Sequence, residues 1–256
     1  MKTKIGIIGG SGLDDPAILE AARDVEIITA WGKPSAALKV GKIASVEVAL
    51  LARHGREHTI PPSEVNYRAN IRALADFGCT HVVATTAVGS LREEIGRGDL
   101  VILDQFIDFT KRRASTYTEA FEPHTPVHPA MADPFDEGLR RILARICSEK
   151  GYAFHPKGTL VTIEGPRFST RAESRMFRSW GADVINMSVA TEASLANEIG
   201  LAYAAIAMST DYDCWKVDEE PVSWEAVLAV FKANAEKVTE LLVEAIPRIA
   251  AEAESR

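Results

Sequence analysis

Short apolar runs of strand length alternate with amphipathic segments of helix length along the whole chain. The runs at 4–8, 25–29, 38–43, 46–52, 81–85, 100–103, 160–163, 183–186 and 201–208 predict strands. Between them, 63–77 opens on a serine able to cap a helix and places Val65, Ile71, Leu74 and Phe77 on one face. Residues 134–149, 170–180, 191–199 and 222–246 read as helices in the same way. Strands that alternate with helices imply a largely parallel sheet covered on both faces. The two adjacent runs at 38–52 have no helix between them and imply an antiparallel portion, so a mixed sheet flanked by helices is expected. Residues 112–133, with their prolines and histidines, predict a long loop or lid inside one domain that takes in residues 1–256.

Composition narrows the partners. A chain of 256 residues that is 46% hydrophobic and 25% charged can bury a substantial core. Its net charge of −7 argues against a broad nucleic-acid-binding face and leaves room for a local basic pocket suited to a small anion. Cys79, Cys147 and Cys214 are too widely spaced for a disulfide framework or a metal cluster, which favours a reducing, cytoplasmic setting. The apolar run after Lys4 ends in glycines too soon for a signal peptide, and no run is long enough to cross a membrane.

Candidate chemistry sits where strands end. Asp211 and Asp213 leave the longest apolar run two residues apart, a spacing that turns both side chains to one side. Burial and mutual repulsion would raise the proton affinity of at least one, which suits a general acid; an acidic loop in solvent is the commoner fate of such a pair. A glycine-rich turn with Ser11 follows the first run and lets backbone amides approach an anion, though it is neither a Walker sequence nor a dinucleotide fingerprint. Arg53 and His54 open a basic turn, RHGREH, that supplies donors for an oxyanion. Thr86 and Ala87 lie in a further hydroxyl-bearing stretch, TTAVGS. Each turn alone has an ordinary structural explanation, but together they fit the rule that ligands gather at the carboxyl ends of strands. Phe168 and Ser169 follow a Gly-Pro turn and offer a stacking ring beside a hydroxyl. Asn186, Met187 and Ser188 close another run, and Met187 is by default a core filler. His124 and His128 lie in the long loop.

The segments IIGGSGLDDP, LLARHGREHTIPPSEVNYRANI, TTAVGSLREEI, VTIEGPRFSTRAESRMFRSWGADVINMS and STDYDCW, taken in order, closely resemble the purine nucleoside phosphorylase and methylthioadenosine phosphorylase family. The resemblance covers nearly the whole chain. It implies an α/β phosphorylase fold, with a central mixed sheet closing into a distorted barrel, assembled as a homotrimer. It also implies phosphate binding by Ser11, Arg53, His54, Thr86, Ala87 and Ser188. Phe168 matches the residue that packs on the purine and Met187 the one under the ribose, with Asn186 beside them in the substrate-binding set. Ser169, Asp211 and Asp213 match those that read the base. His128 matches a residue lent to a neighbouring subunit, and Val222, Trp224, Val227 and Leu228 match the wall around a methylthio group. Trp224 stands where the family can carry a smaller aliphatic residue, which leaves the 5′ substituent open.

The reaction implied is phosphorolysis of S-methyl-5′-thioadenosine to adenine and 5-methylthioribose 1-phosphate, in purine and methionine salvage. Asp213 would act as the acid and Asp211 would hold the base, with no metal or organic cofactor because phosphate is itself the co-substrate. Members acting on 6-oxopurines carry Glu and Asn where Ser169 and Asp211 stand here, which points to a 6-aminopurine. The alternatives are phosphorolysis of adenosine or 6-oxopurine nucleosides, hydrolysis by a nucleosidase, and a non-catalytic nucleotide-binding module.

Overall fold

A computed structural model of the chain describes residues 3–10, 18–218 and 223–255. Its strands are β1 (Lys4–Gly9), β2 (Glu20–Val25), β3 (Leu38–Ile43), β4 (Val46–Ala52), β5 (His81–Ser90), β6 (Leu100–Ile102), β7 (Gln105–Phe109), β8 (Phe154–His155), β9 (Thr159–Ile163), β10 (Val184–Asn186) and β11 (Ala202–Asp211). The helices are α1 (Tyr67–Phe77), α2 (Glu137–Lys150), α3 (Arg171–Ser179), α4 (Val189–Glu198) and α5 (Trp224–Glu254).

One eleven-stranded mixed sheet carries the fold. Its main path runs β2-β3-β4-β1-β5-β10-β9-β7 and branches at β5, which also pairs with β11. The branch follows from length. β1 accompanies β5 in parallel only as far as Ala84, which frees the far end of the same edge for β10 to pair antiparallel at Gly89 and Ser90. β11 runs parallel to the other edge of β5 along almost all of it. The expected hairpin is present, with β3 antiparallel to β4. The expected barrel closure is not: β2 and β7 each pair with one strand only, so the described sheet stays open.

Apolar packing covers both faces. On one, Ile71 and Leu74 of α1 and Val189 and Leu195 of α4 join Ile8, Leu51 and Tyr203. On the other, Leu139 and Ile146 of α2 and Phe231, Leu241 and Ile246 of α5 pack on Ile7, Leu50 and Ile206. Together these faces bury the even and odd positions of the same strands, as a two-sided sheet requires.

Several element boundaries differ from expectation for local reasons. The strand expected at 25–29 is shifted back to β2, whose polar residues are exposed at a sheet edge and give no alternating signal. β7 is a partly buried edge strand, and β8 has only two residues. Ser63 does not cap α1; the prolines at 61 and 62 form a 3-10 turn, and Asn66 caps the helix through the Ala69 amide. α5 continues past 246 through Pro247 to Glu254. Residues 119–130 of the long loop are exposed throughout, while its base is pinned by Glu198, which accepts bonds from Thr116, Tyr117 and Thr118.

Candidate active site

A cleft of about 570 Å³ opens where β1, β4, β5, β9, β10 and β11 end, lined among others by Arg53, His54, Thr86, Ala87, Phe168, Ser169, Asn186, Met187, Ser188, Asp211, Asp213 and Val227. This volume suits a nucleoside-sized ligand. Twelve of the residues singled out from sequence therefore meet in one place. Ser11, Val222 and the side chain of Trp224 lie outside the described residues. Leu228 is half-buried without lining the cleft. His128 is exposed on the long loop, edge-on to Phe121 with ring centroids 5.4 Å apart, and does not reach the cleft of its own chain.

One wall gathers a guanidinium, an imidazole and two hydroxyls. Arg53 is buried, and its guanidinium grips Glu192 of α4 through two bonds, Nε to Oε1 at 2.5 Å and Nη2 to Oε2 at 3.0 Å. A third bond, from Nη1 to the Thr85 carbonyl, is 3.0 Å long. The Tyr203 hydroxyl also donates to Glu192 at 2.7 Å. Burial works against the Arg53 charge, but the Glu192 carboxylate more than offsets it and raises the proton affinity of the guanidinium. Arg53 thus stays charged, with one N–H on each terminal nitrogen left uncommitted by these bonds.

His54 behaves differently from the cationic donor its basic turn suggests. Burial and the Arg53 charge push its pKa down to about 4, so the ring is neutral near pH 7. Its Nδ1 lies 2.9 Å from the Ile60 carbonyl and must donate there, which leaves Nε2 as an acceptor. Arg56 is no part of the wall; it turns outward to pair with Asp24.

Asn186 orients the hydroxyls beside Arg53. Its amide donates to Thr86 Oγ1 at 3.1 Å and to Ser188 Oγ at 3.4 Å, while its carbonyl accepts from Thr162 Oγ1 at 2.8 Å. Ser188 stands at the N-cap of α4 but makes no capping bond with its side chain. Its hydroxyl proton and the helix N-terminus are therefore both presented to the cleft.

The opposite end is acidic. Thr210 Oγ1 donates to Asp211 Oδ2 at 2.8 Å and the Asp213 amide donates to Asp211 Oδ1 at 2.8 Å, which fixes the first carboxylate. Asp213 itself adopts φ 47, a left-handed conformation that Asp tolerates better than most residues. Burial raises the proton affinity of both groups, against the hydroxyl and amide donors around them. Gly89 makes room for this pair, since a Cβ there would sit 3.0 Å from Asp211 Oδ1.

Phe168 is 43% exposed at the mouth, with Ser169 behind it. The floor carries Met187, whose carbonyl accepts from Tyr67 Oη at 3.2 Å. Gly165 has φ 67, and a Cβ there would sit 2.5 Å from Met187 Sδ, so the thioether occupies space that only glycine leaves. Arg113, at the start of the long loop, donates to Tyr67 Oη at 3.1 Å and to the Glu164 carbonyl at 2.7 Å, tying that loop to the floor. Glu192 and Arg113 carry no motif, and Tyr67 lies in the segment LLARHGREHTIPPSEVNYRANI with nothing there to mark it as part of a site. The one sequence signal for Glu192 is an acid in the first turn of a helix. Among the described residues no group of His, Cys, Asp or Glu is arranged to hold a metal ion.

Comparison with known proteins gives one consistent picture. Residues 4–247 match the phosphorylase superfamily model. S-methyl-5′-thioadenosine phosphorylase from Danio rerio is 56% identical over 96% of this chain and 89% of its own length. The crystal structure of methylthioadenosine phosphorylase from Schistosoma mansoni with adenine has TM-score 0.92 and 44% identity, over 98% of this chain and 93% of that one. A mutant of the adenosine/methylthioadenosine phosphorylase from the same organism, bound to methylthioadenosine, has TM-score 0.90 and 43% identity over 98% and 92%.

Proposed function

The chain belongs to the phosphorylase superfamily, and from that premise we propose that it cleaves S-methyl-5′-thioadenosine with inorganic phosphate, giving adenine and 5-methylthioribose 1-phosphate. The observation that carries the reading is the convergence, in one cleft, of an anion wall at Arg53, Thr86 and Ser188 with the buried acids Asp211 and Asp213. Relatives at more than half identity over nearly all of the chain carry that activity in their names, which supports the same substrate here.

Phosphate is the nucleophile, and its oxygen attacks C1′ as the bond from C1′ to N9 breaks. The bonding electrons pass to the purine, and the sugar passes through an oxocarbenium-like state. Arg53, the Ser188 hydroxyl and the Thr86 hydroxyl, once it turns from the Ala87 carbonyl it donates to at 3.1 Å, hold the anion beneath C1′, which turns a bimolecular encounter into a positioned one. Neutral His54 accepts at Nε2 from the proton that phosphate carries at neutral pH. Asp213 gives its proton to N7 of the leaving purine; its raised proton affinity suits that role. Asp211, whose carboxylate is fixed by the Thr210 hydroxyl and the Asp213 amide, accepts from the 6-amino group, and Ser169 donates to N1. A 6-oxopurine would set its carbonyl against Asp211, leaving two acceptors facing each other at a cost of about 1–3 kcal/mol or more.

Phe168 packs on the base and Met187 lies under the ribose, with Val227 closing on the 5′ group; the parts of Ser11, Val222, Trp224 and Leu228 remain those implied by resemblance. The chain acts as one domain without metal or organic cofactor. Its exposed Phe121, Val127 and His128 suit contact with a neighbour in a homotrimer whose sheets close more fully than the described one. A cytoplasmic role in purine and methionine salvage completes the reading; no helix among the described residues is long and apolar enough to cross a membrane. Competition between methylthioadenosine and inosine at equal concentration in phosphate buffer tests the substrate. Adenine should be the dominant base released, and efficient hypoxanthine release would overturn the base assignment.

A further inference from the structure

Arg113 belongs to the long loop, yet its side chain is only 2% exposed. A guanidinium offers five N–H donors in a fixed planar fork, and here each one finds an acceptor. Nε donates to Glu164 Oε1 at 3.2 Å, and Nη2 donates to the carbonyls of Glu164 at 2.7 Å and Ile163 at 3.4 Å. Nη1 donates to Tyr67 Oη at 3.1 Å and to Thr191 Oγ1 at 3.5 Å. The amides of Lys111 and Arg112 donate to the same Glu164 carboxylate, at 2.7 and 3.1 Å, which fixes the backbone from which Arg113 reaches inward. Tyr67 passes the contact on. Its buried ring lies against the guanidinium, 4.9 Å from centroid to Cζ, and its hydroxyl proton is shared between the carbonyls of Pro62 at 3.1 Å and Met187 at 3.2 Å. Donation from Arg113 to that oxygen polarises the O–H and strengthens the bonds it gives.

Arg113, Tyr67 and Glu164 do not line the cleft, but the groups they hold belong to segments that do: Pro62, Ile163 and Met187 line it, as do Phe168 and Ser169 just past Glu164. We infer that Arg113 is a positioning residue: through Tyr67 it fixes where Met187 lies, and through Ile163 and Glu164 it fixes where the loop to Phe168 and Ser169 begins, so that ribose and base are held in one register against Asp213. The inference rests on the phosphorolysis proposed above. Cleavage needs N7 within reach of the acid and C1′ above the phosphate at the same moment, and misplacing either by about 1 Å costs on the order of 10²-fold. The phosphate side has its own supports. Glu192 and the Thr85 carbonyl hold Arg53, and Asn186 holds Thr86 and Ser188. None of those bonds involves Arg113 or Tyr67, so the loss of either should fall on the nucleoside and spare the phosphate.

The test compares Tyr67→Phe, which keeps the ring and removes the hydroxyl, with Arg113→Lys, which keeps a charge and loses the fork. Tyr67→Phe should lower kcat/KM for methylthioadenosine roughly tenfold and leave KM for phosphate within about twofold. Arg113→Lys should lose at least as much, and the two changes together should lose little more than Arg113→Lys alone, because that change already frees the tyrosine hydroxyl. A general weakening of the fold would raise both KM values together, and independent roles would give additive losses; either result overturns the inference. Hydrogen–deuterium exchange of the protein without substrate gives a second reading. Amides of 184–188 should exchange faster in Tyr67→Phe, and those of 163–169 as well in Arg113→Lys, with 38–52 unchanged in both. Unaltered exchange at 184–188 in Tyr67→Phe would also overturn the inference, and that variant decides the matter should Arg113→Lys not fold. If the parent protein releases no adenine from methylthioadenosine, the proposed function fails, and the exchange still decides whether Arg113 and Tyr67 hold the floor.

Discussion

Neutral His54 makes the stability of this protein depend on pH in a window that can be worked out. The ring is partly buried against the Arg53 charge, and its pKa falls from 6.5 to about 4. Since the unfolded chain binds a proton there more readily than the folded one, stability is fully present above pH 6.5 and is lost as pH falls, until both states are protonated below about 4. At pH 5 the penalty from this one group is about 2 kcal/mol, and near pH 4 it reaches about 3 kcal/mol. His54→Gln removes the titration while keeping an amide that can donate to the Ile60 carbonyl. Urea unfolding of both proteins at pH 8 and pH 5, at one fixed protein concentration, isolates the term, because every other titrating group is common to the two. The parent protein should lose about 2 kcal/mol more than His54→Gln on going to pH 5. Equal losses would show that His54 already carries its proton in the folded state, and the neutral acceptor assigned to Nε2 would be wrong.

Glu192→Ala leaves the Arg53 charge buried without its partner and should cost about 3–5 kcal/mol, read from the denaturant midpoint. Adding Arg53→Ala should recover part of that stability without restoring phosphate use, and a double variant with normal phosphate KM would count against a phosphate role for Arg53. Asp213→Asn should fold normally and lose roughly 10²-fold or more in turnover; near-parental activity would remove it as the acid.

Much of the site was legible because each of its parts hangs on a strand end, and strands with two buried faces announce themselves as apolar runs. The β3–β4 hairpin appears at its sequence-derived bounds for that reason, and Arg53, Ser188 and Asp211 follow directly from where such runs stop. Edge strands gave no such signal. β2 exposes polar side chains and β7 is only half covered, so neither has the pattern of a buried strand. Side chains that act through another group were equally silent. Glu192 sits inside a helix, and what gives it its role is a partner reached across the fold, Arg53. The state of His54 was also beyond reach, since its neutrality depends on burial and on a carbonyl six residues away. Local spacing shows which residues are near one another in the chain, and it does not show how much water reaches them.

The central claim is that phosphate, and not water, takes the sugar. Methylthioadenosine incubated with the purified protein in buffer free of phosphate, and again with added phosphate, separates the two by the adenine released. The account predicts negligible adenine without phosphate and, with it, one phosphate consumed and one 5-methylthioribose 1-phosphate formed for each adenine. Adenine released at the same rate in both, with free 5-methylthioribose as the product, would contradict it.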